Sequence, residues 1–120
     1  TLLGKLRTVY SSIEAANELE RENILCEIID PRTLVPLDIN LIINSVKKTG
    51  HLIIVDECTK TGGWAGEVTA TVQEKIFPYL KKPITRVTAP DTPVPFAPNL
   101  ENYYIPDKKD IKKAVKKLLL

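Results

Sequence analysis

The chain of 120 residues is 43% hydrophobic and 27% charged, which suits one globular domain and leaves no room for two cores of ordinary size. Seventeen basic residues against fifteen acidic ones leave a net charge of +2, too balanced to argue for nucleic acid on charge alone. No apolar run is long enough to span a membrane, and Thr1 to Lys5 lack the apolar stretch of a secretory signal.

Short β-rich runs alternate with amphipathic stretches. Arg7-Thr8-Val9-Tyr10 reads as the first strand. Ser11, with Glu14 three residues on, has the spacing of a capping box and predicts a helix start there. Ile13, Ala16, Leu19 and Leu25 mark that helix's apolar side and exit. Cys26 to Asp30 is the second strand, ended by Pro31, which cannot donate to a ladder. Asp38 is a good N-cap for a helix carrying Ile39, Ile42, Ile43 and Val46. Thr49-Gly50 stops that helix, with glycine just past its end.

The run from His51 to Asp56 holds four consecutive apolar residues, Leu52 to Val55. A strand buried on both faces reads this way, so it belongs at the centre of a parallel sheet. Gly62-Gly63 leads into a helix with Val68, Val72 and Ile76, ended or bent by Pro78 and Pro83. Ile84 to Val87 is a fourth strand. Residues 89–98, with four prolines, are expected to run extended across a surface. A last helix opens at Asp107, with Ile111, Ala114, Val115, Leu118 and Leu119 on one stripe and Lys112, Lys113, Lys116 and Lys117 opposite. This alternation predicts a three-layer α/β/α sandwich over residues 1–120, with a mostly parallel sheet of four to five strands.

Ligands of open α/β sheets bind beyond the carboxyl ends of the strands. That rule selects Asp30, Arg32, Asp56, Glu57 and the loop from Thr59 to Gly66, and it leaves His51 at the other end. Asp56 and Glu57 adjoin in a strand and point to opposite faces, so a structural reading has one pairing with a nearby cation and the other capping a turn. The loop Thr61-Gly62-Gly63-Trp64-Ala65-Gly66 offers amides to an anion at a helix start. It is neither a dinucleotide fingerprint nor a P-loop, and a tight turn with close helix–sheet packing explains the same glycines. Trp64, the sole tryptophan, reads as an interface anchor or as a lid on the core. Cys26 and Cys58 read as reduced, buried small hydrophobes, and a metal site has no support from a chain with one histidine. The lysine-rich last helix fits a solvated face or an acidic partner, and without interleaved aromatics it does not argue for nucleic acid. On these residues alone there is no catalytic, cofactor-binding or metal constellation, and the chain reads as an interaction or assembly unit.

Several separated segments nonetheless carry a family resemblance. Cys26-Glu27-Ile28-Ile29-Asp30-Pro31-Arg32-Thr33-Leu34-Val35-Pro36-Leu37-Asp38 is similar to the V-I-D-L/P-R-T-x-x-P-x-D segment in the beta subunit of thiamine-dependent 2-oxo acid dehydrogenases. Ser45 to Gly50, Val55-Asp56-Glu57, and Thr61-Gly62-Gly63 with Glu67 continue the likeness. Pro83 to Val87, Pro90 to Pro93 and Tyr104 to Asp107 complete it, collinear from about Ile24 onward. The resemblance implies the transketolase C-terminal type of domain, as a fragment of a longer beta subunit. It implies thiamine diphosphate and magnesium in the full enzyme, not bound by this domain alone. It implies contacts with an alpha subunit, a second beta subunit and the subunit-binding domain of a dihydrolipoyl acyltransferase, with no nucleic acid and no membrane. Trp64, Glu67, Asp91, Pro93, Phe96 and Leu120 are then the candidate interface residues. The Thr61-Gly62-Gly63 loop and Glu67 resemble branched-chain members more than pyruvate members, with an acetoin type as the other alternative. Such an enzyme is cytoplasmic in a bacterium and mitochondrial in a eukaryote. One departure stands out: the family's longer stretch before the first helix, with a strand antiparallel to the rest, is compressed here between Gly4 and Ile13. The competing reading is a freestanding anion- or protein-binding α/β module without catalysis.

Overall fold

The computed structural model describes residues 1–120. In chain order the elements are β1 (Leu2–Gly4), α1 (Arg7–Glu20), β2 (Ile28–Ile29), α2 (Ile39–Thr49), β3 (Ile53–Thr59), α3 (Trp64–Ile76), β4 (Thr85–Ala89), α4 (Pro98–Tyr104) and α5 (Lys108–Leu119). A short 3₁₀ turn, Phe77–Tyr79, follows α3. The four strands form one sheet in the order β2-β1-β3-β4, and every pairing is parallel.

The period of two along the strands decides the layering. Leu3, Ile29, Leu52 and Ile54 face α2 and α3, where Ile42, Val46, Val68, Val72 and Ile76 complete one core. Leu2, Ile53 and Val55 face the other way and pack with Ala15 and Leu19 of α1 and Ile111 and Val115 of α5. The three-layer sandwich is therefore present, and the apolar run of β3 lies inside the sheet between β1 and β4. The caps anticipated for α2 and α5 also form. The Asp38 carboxylate accepts the Leu41 N–H (3.0 Å), Gly50 closes α2 at φ 72°, and Asp107 caps α5 in a reciprocal box with Asp110.

The N-terminal part differs from the expectation. The first strand is Leu2–Gly4, and Arg7–Tyr10 are the opening turn of α1. Gly4 makes this possible: a Cβ there would lie 2.9 Å from the Thr8 hydroxyl, so only glycine lets the helix start this close to the strand. Ser11 is inside α1 and caps nothing; the N-cap position is Leu6, at φ 50°. The buried stripe of α1 is Thr8, Ser12, Ala15 and Leu19, whereas Ile13 and Leu25 are exposed and Ala16 is only half-buried. The two buried hydroxyls are tolerated because they are bonded. The Thr8 hydroxyl accepts the Lys5 N–H (2.9 Å) and reaches the Val55 carbonyl (3.1 Å), while the Ser12 hydroxyl donates to the Thr8 carbonyl (2.7 Å). With the strand at residues 2–4, Lys5 and Leu6 alone form the strand-to-helix turn. The apparent compression before the first helix came from placing that strand five residues late. The sheet has four strands, and no antiparallel fifth is among them. Within the proline-rich segment, Pro98–Tyr104 forms α4, with proline at its first position.

Candidate functional site at the carboxyl edge of the sheet

The carboxyl ends of β1 and β3, together with the start of α3, converge on Asp56, whose side chain is fully buried. One carboxylate oxygen accepts the Cys58 N–H (3.1 Å) and the other accepts the Ala65 N–H (3.1 Å) in the first turn of α3. The Lys5 ammonium lies 3.4 Å from the same carboxylate, with its side chain 14% exposed, and 5.9 Å from the centre of the Trp64 ring. The anion that a helix start attracts is here supplied by the protein itself. Pairing a cation and capping a turn, expected of two carboxylates, both fall to Asp56. Glu57 is half-buried on the opposite face.

Gly63 approaches the main chain so closely that a Cβ would sit 2.2 Å from the Thr59 carbonyl oxygen. Gly62 takes φ +71°. These are the demands of a turn and a tight helix–sheet contact, not of an open phosphate cradle. A shift in pairing between Asp56 and Thr59 marks a bulge at this end of β3. Past it Cys58 is exposed, not buried, and Cys26 is half-buried; both are free thiols. Partial burial raises the Cys58 thiol above its usual range, with the Asp56 charge adding to it. Burial alone raises the Cys26 thiol. His51 lies at the other end of β3, its Nδ1 2.9 Å from the Thr49 carbonyl, away from this edge.

The six candidate interface residues do not form one patch. Trp64 is half-buried and packs on the α2–α3 core, so it is a lid on that core. Glu67, in the first turn of α3, is exposed and accepts the Thr71 hydroxyl (3.2 Å). Asp91 ties the β4–α4 loop to the β3–α3 loop by accepting the Thr61 N–H and hydroxyl, both at 2.8 Å. The Thr61 N–H foremost, then its hydroxyl, hold the Asp91 carboxyl below its ordinary value. Pro93 and Phe96 extend from that loop, and the Phe96 ring has no cover at all. Leu120 follows α5, whose end lies with His51 at the amino end of the sheet.

Sequence reasoning selected Asp56 but missed Lys5, because nothing in the local pattern ties a lysine after β1 to a carboxylate at the end of β3. It also missed an apolar rim on the carboxyl side, where Leu6, Leu34, Val35, Val94 and Phe96 stand exposed in separate loops. No group of three or more His, Cys, Asp or Glu side chains is placed to hold a metal ion. The α3 amide is already bonded to Asp56, so these residues do not fit the magnesium and diphosphate that the resemblance implies for the full enzyme. No helix is long and apolar enough to cross a membrane.

Such a sandwich, with an all-parallel sheet, a carboxyl edge locked by an internal ion pair and exposed apolar loops beside it, is an α/β domain of the three-layer class. The chain belongs to the transketolase C-terminal domain family, whose pattern matches residues 1–111. It is 40% identical over its full length to the mitochondrial 2-oxoisovalerate dehydrogenase subunit beta of Dictyostelium discoideum, covering 32% of that protein. It is 44% identical to the pyruvate dehydrogenase E1 component subunit beta of Rickettsia bellii (92% of this chain, 34% of the relative). It is 42% identical to the acetoin:2,6-dichlorophenolindophenol oxidoreductase subunit beta of Bacillus subtilis (99% and 35%). Among solved structures it superposes on a split-gene transketolase, an inactive beta4 tetramer, with TM-score 0.78 and 26% identity over 98% of this chain and 37% of that one. The chain thus spans about a third of the length of these relatives, and branched-chain, pyruvate and acetoin types match it about equally well.

Proposed function

We propose that this chain is the C-terminal assembly domain of a longer 2-oxo acid dehydrogenase beta subunit. It supports an alpha/beta heterotetramer that decarboxylates a 2-oxo acid with thiamine diphosphate and magnesium and passes the acyl group to lipoyl groups. The observation that carries this reading is the match of the whole chain to about a third of three kinds of beta subunit. The exposed apolar loops fit contact with the rest of that polypeptide, an alpha subunit and a second beta subunit, because uncovered rings such as Phe96 cluster where partners bind. Docking to the subunit-binding domain of a dihydrolipoyl acyltransferase belongs to the same proposal. Compartment follows source: cytoplasm in a bacterium, mitochondrion in a eukaryote.

Intact-protein mass spectrometry of the natural polypeptide tests the first part. A mass well above 13.4 kDa is expected, and a natural chain of that size contradicts it. The purified 120-residue chain, given thiamine diphosphate, magnesium and branched-chain 2-oxo acids, pyruvate or acetoin, is expected to show no turnover, and turnover refutes the assembly role. In the reconstituted full complex, Phe96→Ala is expected to weaken assembly by about 2 kcal/mol, as for a central aromatic anchor. Unchanged assembly removes Phe96 from the interface.

A further inference from the structure

The two lysine rows of α5 have different surroundings. Lys108, Lys112 and Lys116 are matched by Glu14 and Glu18 of α1 and by Glu22 just past its end, with Lys108–Glu18 at 3.0 Å and Lys112–Glu18 at 2.6 Å. Lys109, Lys113 and Lys117 have no carboxylate within 4.0 Å. That second row lines a groove of about 900 Å³ shared with β4, where Lys82 adds further positive charge; the Arg86 guanidinium turns to the other face of the sheet and donates to the Lys60 carbonyl (3.1 Å). The acidic residues of the groove are already committed. Asp91 holds Thr61, Asp107 caps α5, and Asp110 accepts the Asp107 N–H.

The other wall of the groove is a sheet edge, because β4 pairs with β3 only. The Thr85 N–H donates to the Leu52 carbonyl (3.1 Å). By the alternation of a parallel ladder, Thr85 and Val87 turn their main chain to β3, while the N–H and C=O of Arg86 and Thr88 face outward. An edge with unpaired main-chain groups is a template for another strand. The lysines of the row recur every four residues, about 6 Å along a helix. Alternate residues of a strand recur every ~6.6 Å. One extended segment with carboxylates at alternate positions can therefore engage both walls.

We propose that this groove adds an acidic, extended segment of a partner protein as a strand on β4, its alternate carboxylates meeting Lys109, Lys113 and Lys117. A nucleic acid matches the charge but has no main chain to pair with Arg86 and Thr88, so the edge favours polypeptide. The groove meets the carboxyl-edge loops at Lys60, Pro90 and Asp91, but its test reads Lys113 and the Arg86 and Thr88 amides, none of which the proposed assembly surface uses, so either proposal can fail alone.

The test uses the full chain and a fluorescein-labelled, N-acetylated peptide alternating glutamate with threonine and valine. Saturable binding by anisotropy is expected, weakened about tenfold or more by Lys113→Glu, since like charges facing each other repel strongly. Lys75→Glu, which changes net charge equally on exposed α3 surface, is expected to change affinity less than about twofold, as a screened distant charge should. Hydrogen exchange on the unaltered chain gives the second readout: the Arg86 and Thr88 amides are expected to slow when peptide binds. Three results overturn the proposal. These are no binding at about millimolar peptide, binding that leaves those two amides exchanging as before, and tighter binding of an oligodeoxythymidine of equal charge.

Discussion

Replacing Asp56 with alanine is expected to be among the most destabilising single changes at the carboxyl edge. The carboxylate accepts two main-chain N–H groups, from Cys58 and Ala65, and faces the largely buried Lys5 ammonium. Each buried donor left unpaired costs about 1–3 kcal/mol. Removing one partner of a buried ion pair costs about 3–5 kcal/mol in all. The Lys5 contact, at 3.4 Å, is longer than an ideal charge-assisted bond, so the main-chain bonds carry most of the loss and about 4 kcal/mol is expected. A domain of this size is held by roughly 6–18 kcal/mol at ordinary stability per residue, so Asp56→Ala should fold but melt early. With a urea slope of about 2 kcal/mol per molar, the midpoint falls by about 2 M. Lys5→Met alone is expected to cost only about 1 kcal/mol, because Asp56 keeps both N–H donors. The double variant should resemble Asp56→Ala. A midpoint shift under about 0.5 M urea for Asp56→Ala, or full recovery in the double variant, refutes the view that this carboxylate chiefly anchors the β3–α3 main chain.

Gly63→Ala places a Cβ 2.2 Å from a main-chain oxygen, and thermal unfolding should show a loss of about 3 kcal/mol. Gly62→Ala meets open space but a positive φ and should lose about 1 kcal/mol; the reverse order refutes the close-approach argument. Glu18 is drawn from 4.5 to about 2, first by its hydrogen bond to Lys112 and then by that to Lys108. A carboxyl lowered in the folded state stabilises above its unfolded value and loses that contribution as pH falls through the folded one. Stability should therefore decline from about pH 4.5 towards pH 2, less steeply in Glu18→Gln. Equal acid slopes for the two proteins in denaturant titrations would remove the ladder from that decline.

Elements with strong local signals were legible in the chain. Four apolar residues in a row can only be an inner strand of such a sheet, and Asp38, Gly50 and Asp107 announce helix ends by their own chemistry. β1 was not legible, because a three-residue strand reading Leu-Leu-Gly has no period to detect, whereas Arg7–Tyr10 carries β-prone threonine, valine and tyrosine that tertiary packing turns into helix. The false capping box at Ser11 has the same origin, since spacing alone cannot tell a helix start from its second turn. The ligand-end rule located Asp56. Its bonding was hidden, because Lys5 and the α3 amide reach it only once β1 and β3 pair. The apolar rim was hidden for a similar reason, its members being one or two residues in each of three loops that the sheet brings to one side.

The α1–α5 ladder joins Glu18 to Lys112 across 94 residues of chain. Below it, Ile111 and Val115 fill the same core as Leu2, Ala15 and Leu19. That side of the sheet is therefore covered only in part, by α1, until α5 arrives. During synthesis the α2–α3 side can assemble first, while the surface of β1 and β3 beside α1 waits, greasy and accessible, for Ile111 and Val115. Closing so long a loop is slow but adds little entropy for each further residue. The vulnerable period of this domain is thus the interval before α5 leaves the ribosome, when a chaperone or a mispaired neighbour competes with α5 for the same surface.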